Sequence, residues 1–86
     1  MPRISYFYGI SVYMYYHDHA PPHFHAFYGG DEAMVEIAAA RILRGGLPRR
    51  AASMVAEWTT MYREELTRDW ELAIAGEPLL PVPPLD

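Results

Sequence analysis

The chain has 86 residues and a formal net charge of −4; it is 51 % hydrophobic and 14 % aromatic, with no cysteine. That length makes a single domain the expectation, the apolar content excludes a disordered chain, and the absence of thiols excludes disulfides and thiolate zinc sites. The acidic balance argues against a general nucleic-acid binder, and no apolar run approaches ~18 residues, so no signal peptide or membrane span is indicated and the cytoplasm is the expected location.

The charge is unevenly spread. Residues 1–40 carry one arginine against four acids, residues 41–50 carry Arg41, Arg44, Arg49 and Arg50 with no acid, and residues 51–86 carry two arginines against seven acids. One local basic patch therefore sits in an acidic protein.

In chain order, Ile4 to Tyr8 and Ile10 to Tyr16 are dense in β-branched and aromatic residues and read as strands, with Gly9 between them as a bulge or tight turn. Alternation puts Ile10, Val12, Met14 and Tyr16 on one face, and Ser11, Tyr13, Tyr15 and His17 on the other. Residues 17–25 then hold all four histidines of the chain, with Asp18 among them and Pro21-Pro22 at the centre. Two consecutive prolines stiffen the segment. Phe24 to Tyr28 reads as a strand, Gly29-Gly30-Asp31-Glu32 as a hairpin turn, and Ala33 to Ala39 as the returning strand. With Gly30-Asp31 as the two turn residues, Phe24, Ala26, Tyr28, Ala33, Val35 and Ile37 share an apolar face. His23, His25, Phe27, Met34 and Glu36 then share the other, with Glu36 directly opposite His25.

Arg41 to Leu47 reads as a connection, and Pro48 suits the first position of a helix. Ala51, Val55, Trp58, Tyr62, Leu66, Trp70 and Ala73 recur at helical spacing, and Met54, Trp58 and Met61 are read as core. Gly76 followed by Pro78 ends the helix. The expected architecture is α+β. Residues 1–44 form a small antiparallel meander of three or four strands, residues 48–75 a C-terminal helix, bent or broken near 63–69, that covers one face, and residues 77–86 a Pro-rich tail.

The histidine cluster is the strongest chemical signal. His23 and His25 alternate onto one strand face, Glu36 faces them, and His17 and His19 enter from the loop. Imidazoles with carboxylates suit Zn, Ni, Fe or Cu in the divalent state, so the candidate metal ligands are Asp18, His19, His23, His25 and Glu36, with His19, His23 and His25 also the candidate catalytic groups. The ordinary alternative is a set of solvated or hydrogen-bonding histidines, with no cofactor. Arg41, Arg44, Arg49 and Arg50 are candidate anion-binding residues, since Arg49 and Arg50 stand in a first helical turn that favours an anion; the alternative is a solvated loop. The tyrosines suit ordinary packing, and a protein interface before nucleic acid.

Several of these segments are similar to a known family. Pro2-Arg3-Ile4-Ser5, Tyr8-Gly9-Ile10, Asp18-His19-x-Pro21-Pro22-His23-Phe24-His25, Tyr28-Gly29, Leu47-Pro48-x-Arg50-Ala51, Arg63-Glu64-Glu65-Leu66 and Trp70-Glu71-Leu72-Ala73 resemble the bacterial domain-of-unknown-function family 4160. The motif falls on Asp18, His19, His23 and His25 and leaves His17 outside. The resemblance implies small bacterial proteins encoded beside another small protein, in the manner of a toxin–antitoxin pair; it implies a partner and not a reaction.

Three functional readings follow. The first is a member of such a two-gene module with a histidine site holding a divalent metal; as the toxic member it would cleave RNA, with a histidine as general acid or base and an arginine stabilising phosphate charge. The second is a non-enzymatic module that binds a protein or regulates transcription. The third is a metal-binding protein without turnover. The expected partner is the neighbouring small protein, homo-oligomerisation and RNA or DNA contact stay open, and no membrane is involved.

Overall fold

A computed structural model describes residues 2–86. Five strands, β1 (Arg3–Phe7), β2 (Ile10–Tyr13), β3 (His23–Tyr28), β4 (Asp31–Glu36) and β5 (Arg41–Gly45), form one antiparallel sheet in sequence order. Two helices follow, α1 (Arg49–Met61) and α2 (Arg63–Ala75). The fold is α+β, with five strands rather than three or four. Among the described residues no helix is long and apolar enough to cross a membrane.

The extra strand is β5, in the segment read from sequence as a connection. Its residues are mostly exposed, so no burial pattern marks it. A bulge at Leu43 shifts its register on β4, where Ile42 pairs with Val35 and Arg44 with Met34. Gly45 closes it with φ +76, and a Cβ there would lie 2.2 Å from the Glu32 carbonyl oxygen. Only glycine fits that approach.

The turns set the register. Tyr8 and Gly9 both have positive φ, so β1 and β2 are joined by a tight two-residue turn. The β3–β4 turn is Gly29-Gly30, with Tyr28 paired to Asp31 and His25 to Met34. Glu36 therefore stands opposite His23, and the expected Glu36–His25 pairing is corrected by two residues. A slip of two preserves which side chains share a face, so Phe24, Ala26, Ala33, Val35 and Ile37 are all buried as expected. Tyr28, expected with them, is 38 % exposed at the end of its strand.

The helical stripe covers that apolar face. Ala51, Val55, Trp58, Leu66, Trp70 and Ala73 are all buried. The chain bends at Tyr62 (φ −115, ψ 30), the only residue between the helices, and the ladder continues through it because Tyr62 N–H reaches the Trp58 carbonyl and Leu66 N–H the Tyr62 carbonyl, each at 2.9 Å. The expected helix is thus broken in two, at Tyr62, directly before the 63–69 stretch where a bend or break was expected. Pro48 caps α1 one residue before its start, and Met61, expected in the core, is 55 % exposed at the bend. Trp58 is fully buried, 5.1 Å from the ring of Phe7 and 5.5 Å from that of Phe24.

The proline-rich tail is packed. Val82 and Leu85 are buried, Val82 N–H donates to the Ile4 carbonyl (2.8 Å), Trp58 Nε1–H to the Pro83 carbonyl (2.8 Å), and Leu80 N–H to Asp69 Oδ1 (3.0 Å). Prolines cannot propagate a ladder, so the tail is tied down by one backbone bond to β1 and by side chains that reach out to it.

Candidate metal centre

His23 and His25 are both in β3, two residues apart, and so rise from the same face, opposite Phe24 and Ala26. Asp18 comes from the loop before β3. Its carboxylate is turned toward them by a hydrogen bond from His19 N–H to Oδ1 (2.7 Å), and its Oδ2 lies 2.9 Å from His23 Nε2 and 3.5 Å from His25 Nε2. One ligand atom from each of the three residues falls within 4.8 Å of the other two.

The far nitrogens are already committed. His23 Nδ1 is 2.7 Å from the Pro21 carbonyl, which can only accept. His25 Nδ1 is 3.3 Å from Glu32 Oε2, again an acceptor when ionised. Both Nε2 atoms face the Asp18 carboxylate, and His23 Nε2 is at hydrogen-bond distance from Oδ2. His25 Nε2 is buried and without a hydrogen-bond partner. Three electron-rich atoms facing one another need either protons or a shared cation between them.

Packing holds both rings. The Tyr15 ring stacks on His25 at 4.3 Å, and Trp70, reaching over from α2, lies 5.2 Å from His23. Burial, then the nearby Glu32 and Asp18 carboxylates, push the Tyr15 hydroxyl above its ordinary value, so it stays neutral. Burial also acts to raise the Asp18 carboxyl, but the His19 N–H and the facing His23 and His25 outweigh it and bring it below the ordinary aspartate value.

The other expected site residues are placed elsewhere. The His19 side chain is exposed and outside the group; it serves through its backbone. Glu36 is paired with Arg41 (3.1 Å), and His17 sits beside Gly76 at the end of α2. The carboxylate that meets His25 is Glu32, which the sequence reading left in the turn; choosing Gly29-Gly30, with glycine at the first turn position, would have found it. Of the four arginines, Arg49 is exposed at the start of α1 and the other three have different surroundings. Arg44 lines a cavity with His25, Arg50 lines a different one with Tyr8 and Tyr28, and Arg41 is held by Glu36.

Residues 9–71 match the family described as Domain of unknown function (DUF4160). The chain belongs to that family. No curated protein and no solved structure matches it. The DUF4160 match takes in β2 to β5, α1 and most of α2, and so contains Asp18, His23, His25, Glu32 and Arg44; β1 and the tail lie outside it.

Proposed function

We propose that this DUF4160 protein binds a divalent transition metal through Asp18 Oδ2, His23 Nε2 and His25 Nε2. The observation that carries this is the convergence of two Nε2 atoms and one carboxylate oxygen within 4.8 Å of one another, each ring having an acceptor at its Nδ1. One divalent cation would serve all three ligand atoms at once. Glu32 and the Pro21 carbonyl then act as the outer partners that orient metal-bound imidazoles. A two-nitrogen, one-oxygen set suits Zn, Ni, Fe or Cu.

Structural zinc sites close with four protein ligands; three leave room for water or another ligand. Such a metal supplies Lewis-acid chemistry and an acidified water. Hydrolysis of a phosphate ester is therefore the activity this reading favours, as expected of the toxic member of a two-gene module. In that role His23 and His25 are ligands and not proton carriers.

The test is metal analysis and melting of untagged protein with and without zinc. Free zinc at a hundred times its Kd adds about 2.7 kcal/mol, which in a domain of this size raises Tm by roughly 10–20 °C. Asp18→Asn and His23→Ala should lose that rise. Equal rises in wild type and variants would remove the site.

A further inference from the structure

We propose that the cavity between the hairpin turns and the start of α1 binds a small organic cation, an ammonium or guanidinium carried on an apolar body. This site is separate from the metal centre and independent of it. The cavity has a volume of about 560 Å³, within the range of small-molecule sites. Met54 of α1 and Leu85 of the tail give it apolar walls, and Tyr8 in the β1–β2 turn and Tyr28 at the end of β3 give it two aromatic rings.

The backbone singles out Tyr8. It has φ +50 and Gly9 has φ +81, the pair of positive values that a two-residue hairpin turn demands. Asn, Asp or Gly suits the first of those positions, and a residue as bulky as tyrosine is strained there. Burial does not compensate for the strain, because Tyr8 is 58 % exposed. A strained residue that the core does not need points to a function outside the fold. Gly9 brings the second ring alongside. A Cβ there would lie 3.3 Å from Tyr28 Cε1, so the Tyr28 ring packs on the turn that displays Tyr8.

The charges that line the cavity select the sign of the ligand. Arg50 contributes +1 and Glu57 and Asp86 −1 each, so the lining sums to −1. None of the three is in an ion pair among the described residues. Arg50 and Glu57 are seven residues apart on α1, roughly 10 Å along its axis, so the arginine does not neutralise the glutamate. A monocation can take a carboxylate as its counter-ion and a tyrosine face as its second partner, with its apolar body against Met54 and Leu85. An anion of the same shape would meet the surplus carboxylate.

The experiment titrates the full chain with n-butylguanidinium and with n-butyltrimethylammonium, following amide chemical shifts, with n-butanol and butyrate as the neutral and anionic counterparts. Wild type should bind at least one cation more tightly than either counterpart, and the preferred cation names the head group. Glu57→Gln should weaken that cation about fivefold or more, and Arg50→Gln should strengthen it. Tyr8→Asn places a residue suited to the turn at the strained position. It should therefore melt no lower than wild type and yet bind the cation about fivefold more weakly, a combination that a purely structural tyrosine would not give. Binding of neither cation, binding of butanol or butyrate as tight as that of the cations, or unchanged cation affinity in Glu57→Gln or Tyr8→Asn overturns the inference.

Discussion

The same two strands, β3 and β4, carry opposite chemistry on their two faces. Phe24, Ala26, Ala33 and Val35 point into the helices and are at most 1 % exposed. Their sequence neighbours His23, His25, Glu32 and Met34 stand on the opposite face, where α2 reaches His23 through Trp70. The closed face is held by dispersion and apolar burial, where a polar atom without a partner costs stability. The open face is held by hydrogen bonds and ring stacking, and it leaves one nitrogen of each histidine uncommitted to any carbonyl. Stability and chemistry are thus separated by the pleat of a single hairpin. The two faces meet at Trp70, whose helix belongs to the covered side while its ring packs on His23.

The largest expected effect strikes the closed face. Trp58→Ala removes a fully buried ring from between Phe7 and Phe24, together with the bond that anchors Pro83. It should cost about 3–5 kcal/mol, a large part of the stability of so small a domain, as measured by urea unfolding. A loss below ~1 kcal/mol would mean that the covered face is not what holds the fold.

Gly45→Ala comes next and acts on the boundary between faces. It places a Cβ in a left-handed conformation and against the Glu32 carbonyl. The expected cost is about 1–3 kcal/mol. Because Glu32 must move, zinc affinity should fall as well, which an exposed-loop glycine such as Gly30 would not cause. Unchanged melting and zinc affinity would place β5 off the edge of β4.

The way these faces could be read from sequence explains what was missed. Alternation in β3 and β4 and the stripe from Ala51 to Ala73 report burial, and burial sorted Phe24 from His25 and Trp58 from solvent. Register is a different quantity. A hairpin slipped by two residues keeps every side chain on its face, so the pattern could not tell Glu36 from Glu32 as the partner of His25. β5 is an exposed basic edge and has no apolar face to announce it. The bend at Tyr62 consumes one residue and leaves the stripe in phase, so it was the polar run at 63–69, and not the stripe, that announced it. Of the site, Asp18, His23 and His25 were found because they are close in sequence. Trp70 and Arg44 were not joined to them, because those contacts depend on the path of the chain.

On the open face, Asp18→Asn should have a modest effect on the metal-free protein and a distinctive pH signature. The Asp18 carboxyl is lowered in the folded chain, so its contribution is present above the unfolded value near ~3.9. It is lost as pH falls through the lower folded value. Wild type should therefore lose its advantage over Asp18→Asn across that acid interval, followed by melting at low ionic strength. An advantage independent of pH would mean that the carboxylate charge contributes nothing to the cluster.

Asp69 supplies the matching case on the covered side and the smallest expected change. It is fully buried, Oδ1 accepts from Leu80 N–H, and Oδ2 has no partner. Burial raises its carboxyl above the ordinary value, against the opposing pull of the Leu80 N–H and Arg68. A raised folded value reverses the sign found for Asp18. The contribution is complete below the unfolded value and is lost as pH rises through the folded one, so at neutral pH the buried charge costs stability. Asp69→Asn keeps the acceptor for Leu80 and removes the charge, although it leaves an amide where Oδ2 stood. It should be as stable as wild type or slightly more so at pH 7, and it should lose that standing as the pH is lowered and wild-type Asp69 takes up its proton. Zinc binding on the far face should not change. If Asp69→Asn is instead strongly destabilised at pH 7 and equally so in acid, the carboxylate is held by its bonds to the tail and Arg68, and desolvation does not govern it.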